Sequence, residues 1–192
     1  EDIKKIFSTI NEKNNQLFIF YIITATLPAI FAGLLLKDYF LKIFDNVHLV
    51  GLALCSTGLL LIFSKRFKNN QKAIAFSSSI AVGIAQAIAI IPGVSRSGST
   101  ISMCMYLGIP PKEAARFSFL LSIPVILGAS ILGFFEIESN PTFNYLTLTI
   151  AITTSFFTGV LALKVLLKIL ETGRFYFFGF YCLIAGISTI FI

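Results

Sequence analysis

Three serines, one threonine and one arginine fall within six residues at Ser95-Arg96-Ser97-Gly98-Ser99-Thr100, directly after Pro92-Gly93-Val94. The flanks are largely hydrocarbon, with Gly83 to Ile91 before the cluster and Ile101 to Leu107 after it. A charged side chain in such surroundings is costly, so by default it marks a functional site. Pro92 cannot continue a helical ladder, and Gly93 and Gly98 permit tight backbone turns. The turn would bring hydroxyls, free backbone N–H groups and one guanidinium to a single point. Those are the donors an anion needs, with phosphate the leading candidate. Ser95, Arg96, Ser97, Gly98 and Thr100 are therefore the candidate phosphate-binding residues. Ser99 divides evenly between that role and plain helix packing, which small residues serve in membranes.

The elements that must position this cluster are short. About nine residues separate Gly98 from Gly108-Ile109-Pro110-Pro111, which is only ~14 Å of helix and about half a hydrocarbon thickness. The arm before Pro92 opens with polar Ser77-Ser78-Ser79, leaving roughly a dozen strongly apolar residues. Two short arms around a polar turn predict a re-entrant helical hairpin over 75–107. Such backbone is tolerated at membrane depth only when buried in protein or lining a wet cavity. Half-helix N-termini at mid-membrane also aim a positive dipole at bound anions.

Composition sets the solvent. Hydrophobic residues make up 56% of the 192 and charged residues 12%, where a soluble domain runs near a quarter charged. Mean hydropathy is +0.89. The expected fold class is all-α: a polytopic membrane protein with about five transmembrane helices plus the hairpin. A β-barrel would need alternating in/out patterning, which runs such as Ile150-Ala151-Ile152 lack. Spans are expected over 17–36 with Pro28 inside, 47–63, 114–135 with Pro124 inside, 145–167 and 175–192. An acidic loop runs from Glu136 to Asn144. All of 1–192 reads as one integral membrane domain.

The net charge of +6 does not point to nucleic acid, because the basic residues sit in short connections between apolar runs. With a re-entrant hairpin, twelve Lys and Arg fall on one side, among them Lys65, Arg66, Lys72, Lys112, Arg116, Lys168 and Arg174. Only Lys37 and Lys42 fall on the other. That asymmetry makes the basic side cytoplasmic. A fully crossing motif would instead place Lys164, Lys168 and Arg174 outside, so the bias favours the hairpin.

Other titratable residues read blandly. Cys55, Cys104 and Cys182 lie in apolar runs without metal-ligand spacing and read as small buried thiols. Glu113 and Arg116 follow Pro110-Pro111 as the solvated charges of a helix start. His48, the only histidine, reads as an interfacial structural residue. The phenylalanines read as lipid- and core-facing bulk, although an isoprenoid channel would use the same residues. Glu1 is not a methionine, and the opening lacks the apolar core of a signal peptide. A fragment missing an N-terminal part is expected.

The run Gln86 to Thr100 closely resembles the PGxSRSGxT motif of the bacterial undecaprenyl-diphosphate phosphatases of the bacitracin-resistance type. The likeness extends from Ile22, Pro28 and Gly33 through Phe117-Ser118-Phe119-Leu120-Leu121 and Pro124 to the end of the chain. The resemblance implies two inverted repeats, each with a re-entrant hairpin, meeting at mid-membrane. It implies a bacterial inner-membrane enzyme that hydrolyses undecaprenyl diphosphate to undecaprenyl phosphate and inorganic phosphate, recycling the carrier for wall synthesis. On that footing Arg96 and Ser97 are the catalytic candidates, with Gln86, Pro92 and Gly93 supporting them. The partners it implies are a polyprenyl diphosphate and membrane lipids, with self-association left open. A divalent cation such as Mg or Ca is compatible with the chemistry, yet no ligand set for one is visible.

The chain also departs from the family pattern. The family's other motif carries paired glutamates, then a Ser and a His, on the first repeat's hairpin, and nothing here matches it. Gln86 sits where the first repeat carries a Glu. Half an active site is expected, able to bind transition-state charge but lacking acid/base groups, so the fragment alone should be inactive. Two other classes fit the same architecture: a polyprenyl-phosphate flippase or anion transporter, and a non-catalytic lipid-binding protein.

Overall fold

The computed structural model describes residues 13–44, 46–66, 71–137 and 145–191. The N-terminal tail, residues 67–70 of the basic connection, and the acidic loop beyond Ile137 lie outside them. Every regular element among the described residues is helical. In chain order these are α1 (Lys13–Leu35), α2 (Lys37–Phe44), α3 (Val47–Phe63), a 3-10 turn (Ser64–Arg66), α4 (Phe76–Ile88), α5 (Arg96–Tyr106), α6 (Pro111–Ile137), α7 (Tyr145–Glu171) and α8 (Phe177–Ile190).

Three of them, over Asn15–Leu35, Pro111–Ile131 and Tyr145–Glu171, are long and apolar enough to cross a bilayer. Pro28 and Pro124 lie inside α1 and α6. The second and fifth expected spans appear as α3 and α8, but at 17 and 14 residues they run only about 26 and 21 Å, short of the ~30 Å hydrocarbon. α8 starts at Phe177 because a turn occupies the residues just before it. Large apolar side chains point outward along the long helices, including Phe31, Leu127, Phe156 and Leu161. Lipid, rather than water, is the solvent that suits such a surface. The molecule is an integral membrane protein.

α3 and α8 pair closely. A Cβ on Gly58 would lie 2.7 Å from the Gly179 carbonyl, and one on Gly186 would lie 2.7 Å from the Gly51 carbonyl. Small residues facing each other let the two backbones touch, the usual device where lipid supplies no hydrophobic drive. His48 Nδ1 lies 3.0 Å from the Ile190 carbonyl and ties the ends of the pair. Cys55 is partly buried; Cys104 and Cys182 are buried and free.

α4 and α5 form a hairpin. Ser78 Oγ accepts from Ala75 N–H at 2.8 Å and donates to the Ala75 carbonyl at 2.7 Å, fixing the start of α4. α5 ends in a Schellman arrangement. Ile109 N–H reaches the Cys104 carbonyl and Gly108 N–H the Met105 carbonyl, both at 3.0 Å, with Gly108 at φ +89. Lys72 N–H then donates to the Gly108 carbonyl at 3.1 Å. The residues leading into α4 therefore bond to those leaving α5, so the two arms enter and leave at one end of the fold. At 13 and 11 residues each arm is about 20 Å or less.

The core forms where this hairpin packs against α6. Val82, Ile101, Cys104, Ile109, Ala114, Phe117 and Leu121 are buried together, and Phe18 of α1 packs edge-on against Phe117 at 5.7 Å. Pro111 at the first position of α6 suits a helix start, where its missing N–H costs nothing.

Candidate functional site

The turn between α4 and α5 is built by its sequence. Pro92 is buried, and Gly93 sits at φ +90, a conformation that side chains resist. A Cβ there would also collide with the Val50 carbonyl of α3 and lie 3.0 Å from Ala53 Cβ. Ser95 is the N-cap of α5 and accepts the Gly98 N–H through Oγ at 3.1 Å. A Cβ on Gly98 would stand 2.8 Å from that Oγ, so the bare glycine keeps the cap closed. Thr57 of α3 locks the turn from the side: its Oγ1 accepts the Ser95 N–H at 3.1 Å and donates to the Gly93 carbonyl at 3.3 Å.

Arg96 opens α5 and turns back on α4. Its Nε and Nη2 both donate to Gln86 Oε1, at 3.0 and 2.6 Å, and Nη2 also donates to the Leu121 carbonyl of α6 at 3.3 Å. Gln86, 1% exposed, is itself held by Nε2 donating to the Ala25 carbonyl of α1 at 3.3 Å. A guanidinium has five N–H donors; these bonds engage the Nε/Nη2 edge and leave the two on Nη1 without an acceptor among the described residues. Every acceptor is a neutral amide or carbonyl oxygen. No carboxylate pairs with Arg96 among the described residues.

Three helices place the cluster at one depth. Gln86 lies ten residues into α4 and Leu121 ten into α6, each about 15 Å from its helix start. Ala25 is twelve residues into α1, about 18 Å along.

The hydroxyls divide. Ser95 and Ser97, half-buried on either side of Arg96, belong to the first turn, where backbone N–H groups have no intrahelical acceptor. Thr100 is 1% exposed; its Oγ1 lies 2.9 Å from the Arg96 carbonyl and 2.6 Å from Ser118 Oγ of α6. Ser99 is buried, its N–H bonded to the Ser95 carbonyl at 2.8 Å. Thr57, Ser118 and the Leu121 carbonyl are site residues that sequence reasoning missed. Glu113 and Arg116 pair with each other at 3.8 Å at the start of α6. No cluster of three or more His, Cys, Asp or Glu able to hold a metal occurs among the described residues.

Residues 1–188 match the family described as bacitracin resistance protein BacA. The chain belongs to the BacA family. Among curated BacA-like proteins, undecaprenyl-diphosphatase 1 of Bacillus cereus is 38% identical over 182 residues, covering 93% of this chain and 67% of that protein. The undecaprenyl-diphosphatase of Korarchaeum cryptofilum is 39% identical over 168 residues, covering 88% and 63%. That of Desulforapulum autotrophicum is 39% identical over 173 residues, covering 88% and 62%. The chain spans about two thirds of the length of these relatives.

Proposed function

We infer that this chain supplies the phosphate-binding half of an undecaprenyl-diphosphatase. The reaction adds water across the P–O–P bond of undecaprenyl diphosphate, giving undecaprenyl phosphate and inorganic phosphate and returning the lipid carrier to use. Membership of the BacA family and the names of its relatives support the activity. The observation that carries the chain's part in it is Arg96, whose guanidinium has only neutral partners at the N-terminus of a half-length helix.

In this reading α4 and α5 re-enter the membrane from the cytoplasmic face, and their turn lies near the mid-plane of a bacterial inner membrane. The isoprenoid stays among lipid tails while its head group meets Nη1 of Arg96, the Ser97 hydroxyl, the Ser95 hydroxyl and the free N–H groups of the first turn of α5. Negative charge grows on the phosphoryl oxygens as the phosphoanhydride is attacked and its P–O bond breaks. A preorganised cation, two hydroxyls and a helix dipole stabilise that growth in a low-dielectric site. Gly98 lets the cap close under the anion, and Thr100 holds the turn while lying beside it. No Asp, Glu or His occurs between Phe76 and Pro111, so the acid/base work falls to groups outside this hairpin. A divalent cation, if one takes part, would add positive charge at the head group, and its ligands would come from outside this hairpin.

The test is phosphate release from undecaprenyl diphosphate by the purified membrane protein in detergent. Release that depends on Arg96 supports the reading. Lipid transfer across vesicles with no phosphate released would replace it with a flippase.

A further inference from the structure

Gln86 presents a chemical puzzle. A half-buried arginine would find its strongest partner in a carboxylate, and Glu differs from Gln by one heavy atom, an oxygen for a nitrogen. The residue that meets Arg96 is nonetheless neutral, although both Nε and Nη2 converge on its Oε1 at 3.0 and 2.6 Å. Its own Nε2 is anchored on the Ala25 carbonyl, which fixes which end of the amide faces the arginine. The Leu121 carbonyl completes a cradle made entirely of uncharged oxygens.

We propose that Gln86 is a positioning residue whose neutrality matters as much as its hydrogen bonds: it aims the Arg96 guanidinium and leaves the full positive charge for an incoming diphosphate. This rests on Arg96 being the diphosphate-binding residue. The physical case is direct. A carboxylate at the same place would form a bidentate ion pair, hold Arg96 more firmly and cancel the field that draws the substrate. In a site of low dielectric that loss is large. An apolar residue would preserve the charge but take away the acceptor that Nε and Nη2 share in this half-buried site, leaving the guanidinium held only by the Leu121 carbonyl. Of the titratable groups with described side chains on the elements packed against α4, namely Tyr21 on α1 and Arg96, Cys104 and Tyr106 on α5, Arg96 is the one hydrogen-bonded to Gln86.

Two substitutions separate this role from a structural one, because the two accounts rank them in opposite order. If Gln86 merely holds helices together, Gln86→Glu, which keeps the shape and the bonds to Arg96 while losing the one to the Ala25 carbonyl, should outperform Gln86→Met, which loses them all. On the present account Gln86→Glu falls by about 10²–10³ in phosphate release, comparable to removing a transition-state contact, with a raised KM for undecaprenyl diphosphate. Gln86→Met falls by only about tenfold, the scale of a modest misorientation. Thermal stability in detergent should part from activity: Gln86→Glu gains an ion pair to Arg96 but loses the bond to the Ala25 carbonyl, and it should still melt above Gln86→Met, which loses every one of these bonds. Activity of Gln86→Glu equal to or greater than that of Gln86→Met overturns the proposal. Should Gln86→Glu fail to accumulate in membranes, Gln86→Met decides alone: a wild-type rate and KM overturn the proposal, and a tenfold loss sustains it. Arg96→Ala is assayed beside them. Full activity there would refute Arg96 as the binding residue, a failure distinct from reversal of the Gln86 ranking.

Discussion

Arg96 and Gln86 lie ten residues apart on opposite arms of a hairpin, and two nitrogens of one converge on a single oxygen of the other. The contact crosses the turn and sets the splay of α4 and α5 at the level where the hydroxyls gather. It also commits one edge of the guanidinium to the protein and turns the other outward.

The turn itself should be intolerant of a methyl group. Gly93→Ala places a Cβ against the Val50 carbonyl at φ +90. The backbone strain alone is about 1–2 kcal/mol, and relieving the collision must move the loop away from α3. The expected result is a clear fall in the detergent melting temperature together with lost phosphate release. A variant as stable and active as wild type would show that the turn is not held as described.

Thr57 should matter through its hydroxyl rather than its bulk. Thr57→Val removes the acceptor of the Ser95 N–H and the donor to the Gly93 carbonyl, leaving partly buried polar groups at a cost of about 1–3 kcal/mol. Thr57→Ser keeps both bonds. Loss of stability and activity in the valine variant, with near-normal behaviour in the serine variant, is the expected pair. Equal behaviour of the two would contradict the lock.

These two residues also mark how far the sequence could be read. The Pro-Gly break, the arginine and its hydroxyls stand out because polar residues are rare and costly within apolar sequence. Short arms and the Lys/Arg asymmetry pointed to a hairpin, and the Lys72–Gly108 bond joins the ends of α4 and α5. Thr57 and Ser118 were not legible as site residues. A hydroxyl inside an apolar run reads as helix packing, and only tertiary contact across 38 and 18 residues gives each its partner. The eight-residue α2 was missed as well. Lys37-Asp38-Tyr39-Phe40 is too short and too charged for a span, and a single amphipathic turn or two looks like a loop in sequence. The expected 47–63 coincides with α3, whereas the expected 175–192 overran α8 at its ends, because apolar sequence continues into the residues of its flanking turns.

The topology can be read by thiol labelling in a background without native cysteines. Lys112→Cys and Thr172→Cys should resist an impermeant reagent until the membrane is opened, whereas Tyr145→Cys, at the opposite end of α7, should react from outside. A re-entrant hairpin keeps Lys112 on the side of Lys72, to whose neighbourhood the Lys72–Gly108 bond ties it. Outside labelling of both Lys112→Cys and Thr172→Cys, with Lys72→Cys protected, would mean that the α4–α5 segment crosses the membrane fully.

The most direct measurement is the rate of phosphate release from undecaprenyl diphosphate by Arg96→Lys. Lysine keeps the charge but not the planar fork that reaches Gln86 and the substrate from two edges. The account predicts a loss of about 10²–10³ relative to wild type, with the protein still folded in detergent. A rate within about threefold of wild type, under 1 kcal/mol of transition-state stabilisation, would contradict the claim that Arg96 grips the diphosphate.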